Sequence, residues 1–270
     1  MKKLLPITLI FILSAGFLTS CKKDKGEPPV LPPQESMTID FTNFVSGKKS
    51  ADLISDQKGT ENSNWEFAAA VAGVWNSLMN TTLVVPVTSY KFAADYDPGY
   101  LDVNTWQWSY NFSVASAPYK ARLIGQISTS DVLWKMYITK DDPGGFAEFV
   151  WFEGTSKLDG TGGQWIFNES AQSKVPILQN DWTKTGSSIS PVKYTYVKND
   201  TFKNSYIEYG LTTSTLNAYY IIHYYNGLKF SDVNVEWNTT TYNGRVKSLD
   251  YLGDDNWYCW DANKINVTCQ

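Results

Sequence analysis

Histidine and carboxylate side chains are the groups in this chain that could act as acids, bases or metal ligands. His223 is the only histidine in 270 residues, and it stands in a run of β-type residues from 218 to 225. A serine hydrolase needs a histidine beside a nucleophile and an acid, and a zinc site commonly uses several histidines. The chain has no G-x-S-x-G elbow, phosphate-binding loop or dinucleotide motif. We therefore expect His223 to be a strand residue bonded to a neighbour, and we expect no enzymatic activity.

Paired carboxylates could hydrolyse a glycosidic bond or hold a cation. Glu148 and Glu153 are five residues apart on one predicted strand, so they face opposite ways unless a bulge intervenes. Glu208 and Glu236 lie on different predicted strands and could approach each other. Three acids near the C-terminal turn match no EF-hand spacing and read as a solvated turn: Asp254, Asp255 and Asp261. The sequence predicts no metal and no cofactor.

Cys259 and Cys269 are close enough in sequence to form a disulfide around a hairpin. In an oxidising compartment a disulfide is the default for such a pair, and it would pin the end of the chain. Metal binding is a poorer alternative, because no cluster of histidines or acids accompanies them.

Cys21 ends a segment with the pattern of a secretory signal. Lys2 and Lys3 give a positive start, and residues 4–18 are mainly apolar but too few for a comfortable membrane span of about 20 residues. The residues Leu18-Thr19-Ser20-Cys21 resemble the lipobox of bacterial lipoproteins. That resemblance implies cleavage before Cys21 and acylation of its sulfur by chains such as palmitate. An ordinary cleaved signal is the alternative.

The residues after Cys21 predict a tether. Residues 22–27 carry mixed charges and residues 28–33 include two proline pairs, which favour an extended, semi-rigid spacer. The charged run and the Trp/Tyr-rich remainder resemble uncharacterised outer-membrane lipoproteins of Bacteroidota. The resemblance implies an outer-membrane location and leaves open which side the protein faces. The predicted organisation is a signal peptide at 1–20, a lipidated tether at 21–36 and one β-rich domain at 37–270.

Composition excludes a nucleic-acid partner. Removal of residues 1–20 takes away two lysines and no acid, which moves the formal net charge from −4 to −6. A nucleic-acid-binding protein needs a basic face, and this chain has only two arginines, Arg122 and Arg245. Aromatic residues make up 15% of the chain, enough to fill a core and to supply a binding surface.

One helix precedes a long β region. Ser63 and Glu66 have capping-box spacing, the following residues are apolar on nearly all sides, and residues 80–82 are predicted to end the helix. From Leu83 onward apolar residues alternate with polar ones, and Asp-Gly, Asn-Gly and Asp-Pro-Gly turns separate the runs. An additional edge strand is predicted at residues 37–41.

These elements predict a mainly β protein. We expect ten to thirteen strands in a large, curved antiparallel meander with one buried N-terminal helix, like the half-barrels of lipoprotein carriers and lipovitellin-type proteins. A β-sandwich or a closed barrel is the alternative architecture.

Two binding functions fit this architecture. The first is a non-catalytic, membrane-anchored binding protein for an apolar ligand such as a lipid, and the second is a surface module for glycan or a partner protein. Trp260 is predicted to point away from Trp257 and to be exposed. The candidate ligand-binding residues are Trp106, Trp108, Tyr219, Tyr225 and Trp260.

Overall fold

The fold is one open antiparallel sheet of fourteen strands with a long helix on one face. A computed structural model describes residues 25–45 and 61–269. The strands pair in sequence order from β1 to β14, and within the described residues β1 and β14 do not pair with each other. The predicted mainly β meander with an N-terminal helix is therefore confirmed. The sheet neither closes into a barrel nor splits into a sandwich.

The helices are α1, Ser63–Ala93, and α2, Leu249–Leu252, and two 3-10 turns precede them at Gln34–Met37 and Thr42–Phe44. The strands are β1 Gly99–Asp102, β2 Thr105–Val114, β3 Ala117–Ile127, β4 Asp131–Lys140, β5 Phe146–Lys157, β6 Gly162–Asn168, β7 Pro176–Thr185, β8 Ser188–Tyr196, β9 Tyr206–Leu211, β10 Ala218–Tyr225, β11 Phe230–Trp237, β12 Gly244–Lys247, β13 Tyr258–Trp260 and β14 Asn266–Val267.

Period-two alternation places the aromatic core on one face of the sheet, which we call the concave face. On β2 the buried positions alternate with more exposed ones, as the sequence predicts. The same face of β4 buries Trp134, Met136 and Ile138. The opposite, convex face carries the polar and half-buried side chains.

Helix α1 is longer than predicted. It begins at Ser63 as expected but passes residues 80–82 and continues through Pro86 to Ala93. Thr81 does not end the helix, because its hydroxyl donates to the carbonyls of Ser77 and Leu78 within it. Burial of Leu83 and Tyr90 outweighs the poor helix propensity of this segment, since tertiary packing supplies most helix stability in proteins.

Among the described residues, α1 is the one helix long and apolar enough to cross a membrane by length and composition. Half of its apolar window is buried inside the protein.

Residues 25–45, here called the N-terminal segment, also lie on the concave face. The predicted edge strand at 37–41 is wrong, because these residues cross the sheet beside α1 instead of extending it. The described part of the predicted tether, from residue 25 to 36, is not a free spacer. Pro29, Pro32 and Ser36 are buried, and the Tyr90 hydroxyl donates to the Pro32 carbonyl at 2.7 Å. Cys21 lies outside the described residues.

Candidate functional site on the convex face

The protein's own chain occupies the concave face. The hydroxyls of Tyr90, Tyr194 and Tyr220 donate to backbone carbonyls of the N-terminal segment, and burial raises the pKa of all three. Two grooves remain beside that segment, one of about 250 Å³ against α1 and one of about 450 Å³ near Ile189. A drug-sized ligand needs about 300–1,000 Å³ of mainly apolar space.

Three of the five candidate ligand-binding residues belong to the core. Trp106 and Trp108 are buried on the concave face of β2. The prediction that Trp260 is exposed is wrong, since only 1% of its surface is accessible. Trp260 pairs with Gly244, whose missing side chain leaves room for the indole, and its Nε1 donates to the Tyr242 carbonyl at 2.9 Å.

Tyr219 lies on the convex face with its ring flat across Gly210, its partner on β9. A Cβ added at Gly210 would overlap Cε1, Cζ and the hydroxyl of Tyr219. The hydroxyl donates to Glu208 Oε1 at 3.1 Å. Burial, together with the charge and hydrogen bond of Glu208, raises the pKa of Tyr219 to about 12. The phenol is therefore neutral at ordinary pH, and the Tyr219 side chain is partly exposed.

The residues beside Tyr219 extend this surface across the next strands. Glu236 pairs with Tyr219 across β10 and β11, and Arg245 pairs with Glu236 across β11 and β12. Arg245 donates to Glu236 Oε2 from Nε at 2.8 Å and from Nη2 at 2.6 Å. Its guanidinium also lies 4.3 Å from the ring centroid of Trp257. We call Glu208, Tyr219, Glu236, Arg245 and Trp257 the Tyr219 platform.

A cleft of about 810 Å³ borders the platform. Glu236 and Arg245 line one side of it, and the loop of residues 214–216 lines another. Cys259 and Cys269 lie at its wall. This volume is within the range of ligand sites, and the lining mixes a charged pair with backbone and apolar surface.

The predicted disulfide is present and shapes the cleft. Cys259 and Cys269 are joined with Cα atoms 5.2 Å apart. The hairpin that they close carries Asn266, whose Oδ1 accepts the Asn64 N–H at 3.1 Å and whose Nδ2 donates to Ser63 Oγ. Asn62, the residue before α1, makes no side-chain cap bond. The C-terminal hairpin therefore supplies the cap that the sequence assigned to Ser63 and Glu66.

His223 belongs to a second convex cluster at the other end of β10. Its Nδ1 lies 2.7 Å from Asp232 Oδ1, and its ring stacks between Phe230 at 4.7 Å and Tyr206 at 5.3 Å. Tyr225 packs edge-on against Phe230. The aromatic rings of this cluster pack against one another.

The remaining carboxylates have local partners. A bulge at Trp151 brings Glu148 and Glu153 to the same face, which a plain strand would not do, but each binds its own cation. Glu148 binds Arg122, whose hydrogen bond lowers the pKa of Glu148, and Glu153 binds Lys135.

The acids of the C-terminal turn are also engaged locally. Asp254 and Asp261 accept backbone N–H groups of their own turns, and Asp255 pairs with Lys247. Across the described ranges, no group of three or more histidines, cysteines or acids is arranged to hold a metal ion.

Comparisons with family models, with curated proteins and with solved structures found no match for this chain. The interpretation of the platform therefore depends on its own geometry.

Proposed function

We propose that this protein is a lipid-anchored, non-catalytic envelope protein that binds carbohydrate at the Tyr219 platform. The observation that supports this most is the ring of Tyr219, which rests on Gly210 at a partly exposed position of β10. The negative face of an aromatic ring attracts the weakly positive C–H bonds on one side of a sugar.

The polar groups around the ring suit sugar hydroxyls. Glu208 and Glu236 supply carboxylate acceptors, and Arg245 supplies donors. Glu236 and Arg245 line the cleft of about 810 Å³, whereas Glu208 lies on the other side of Tyr219 from it. Tyr219 orients Glu208, and Arg245 orients Glu236.

The alternative of an apolar ligand has less support. The helix and the N-terminal segment fill the concave face where a lipid would lie. Of the grooves beside them, one of about 250 Å³ is smaller than most ligand sites, and the other, of about 450 Å³, is lined partly by the charged residues Glu35, Asp40 and Lys184. The proposed membrane location is supported by the lipobox-like residues ending at Cys21, which lie outside the described part of the chain.

A glycan panel followed by calorimetry on the best binder tests the proposal. We expect Tyr219→Ala to raise Kd about two- to tenfold, because an aromatic contact contributes about 0.5–1.5 kcal/mol. Tyr219→Phe keeps the ring and should bind nearly as well as the wild type. Tyr137→Ala is the matched control, since Tyr137 lies on the convex face of β4 beneath Arg122, far from the platform.

Two results would contradict the proposal. One is a folded wild-type protein that binds no glycan on the panel. The other is a set of variants in which Tyr219→Ala and Tyr137→Ala bind equally well.

A further inference from the structure

Exposed apolar side chains gather at the corner of the sheet where the N-terminal segment begins. Leu101 in β1 and Val103 in the β1–β2 turn are 52% and 54% exposed, and Val30 in the N-terminal segment is 84% exposed. Leu133 in β4 is also exposed. It pairs with Gln126 in β3, which pairs with Thr105 in β2, so Leu133 lies at the same end of the strands as the β1–β2 turn. We call Val30, Leu101, Val103 and Leu133 the apolar corner.

The N-terminal segment is held at this corner. The Lys25 ammonium lies 5.3 Å from the ring centroid of Tyr100 in β1. Gly26 lies beside the Trp106 ring, and Pro29 Cγ would be 3.0 Å from a Cβ at Gly125. Residue 25 therefore lies beside the first two strands.

Four peptide steps separate residue 25 from Cys21. A fully extended chain advances at most about 3.6 Å per residue, so the two Cα atoms lie within about 14 Å of each other. If Cys21 is acylated, as the proposed function requires, the lipid surface can be no farther from residue 25 than this short stretch of chain allows. The apolar corner is then the part of the folded protein nearest to that surface.

We propose that the apolar corner lies against the lipid surface into which the acyl chains of Cys21 insert. Clustered exposed apolar groups mark interaction sites, and here the chain itself brings a bilayer to them. Asp102 ends β1 and Lys25 lies beside Tyr100, so the corner carries charges of both signs and suits a zwitterionic surface. The inference rests on acylation in the proposed function but does not depend on glycan binding.

The test uses full-length, acylated protein in phosphatidylcholine vesicles that contain brominated phosphatidylcholine. Val103→Cys provides one free thiol for an environment-sensitive fluorophore, because Cys259 and Cys269 are paired. Leu228→Cys is the control. Leu228 is 89% exposed in the β10–β11 turn, at the opposite end of the strands from the β1–β2 turn.

We expect bromolipid to quench the probe at position 103 and to leave the probe at position 228 unchanged. Equal quenching at both positions, or none at 103 in protein whose intact mass confirms the acyl chains, would overturn the inference alone. An intact mass without acyl chains on Cys21 would overturn both the inference and the proposed membrane address, while glycan binding would still be measurable.

Discussion

Removal of the disulfide should destabilise both ends of the described chain. The double variant Cys259→Ser/Cys269→Ser opens a loop with a sequence separation of 10. The loop-entropy relation gives a loss of about 2.7 kcal/mol for a loop of this size. The hairpin also carries the Asn266 cap of α1, and loss of a cap costs about 1 kcal/mol.

The combined loss of about 3–4 kcal/mol corresponds to a Tm lower by roughly 6–15 °C for a domain of this size. Calorimetry of the wild type and the double variant measures it, and Asn266→Ala isolates the cap with an expected fall of roughly 2–4 °C. A reducing agent should lower the wild-type Tm to that of the double variant and leave the variant unchanged. A wild-type Tm that ignores the reducing agent, or free-thiol labelling of native Cys259 and Cys269, would refute the reasoning.

Three further predictions concern the platform and the anchor. Gly210→Ala should lift the Tyr219 ring and weaken glycan binding while the fold survives, measured by calorimetry. Gly99→Ala, where a Cβ would make only an ordinary contact of 3.9 Å with the Gln107 carbonyl oxygen, is the control, and equal binding by both variants would count against the platform. The raised pKa of Tyr219 means that the folded state favours the neutral phenol, so its stabilising effect is complete below pH 10 and is lost as the pH rises toward about 12. Denaturant titrations across this pH range should show a smaller loss of unfolding free energy in Tyr219→Phe than in the wild type. Equal losses in the two proteins would exclude the effect. Cys21→Ala should move the protein from the membrane to the soluble fraction, and a variant that still pellets with membranes would refute the anchor.

The strands could be predicted from the sequence because apolar and polar residues alternate strongly along them. The aromatic side chains of β2 and the run of β10 repeat with period two, and turn dipeptides separate them. The bulge at Trp151 could not be predicted, since no residue in β5 demands it. That bulge decided on which face Glu148 lies.

The end of α1 was beyond sequence reasoning for a different reason. Thr81, Thr82 and Pro86 are typical of a helix end, and only the contacts of Leu83 and Tyr90 with distant residues reverse that preference. The proline pairs before residue 34 likewise indicate a spacer, whereas burial against the sheet fixes them in place.

The candidate site was only partly visible in the sequence. Tyr219 and the acids Glu208 and Glu236 stood out by residue type. Gly210, Arg245 and Trp257 did not, because their roles come from register across four strands. A glycine opposite an aromatic residue in neighbouring predicted strands is the signal that could have found the platform.

The concave-face packing also sets an order of events during synthesis. The N-terminal segment and α1 are made first, yet their partners include Tyr194, Tyr220 and Asn266, as many as 203 residues later. A nascent chain must therefore carry an apolar 31-residue helix without its sheet until the last hairpin emerges. Contacts between residues so far apart in sequence form slowly, and until they form the apolar helix is prone to aggregation. A holding chaperone that covers residues 63–93 would consequently raise the yield of folded protein more than one that covers any β-hairpin.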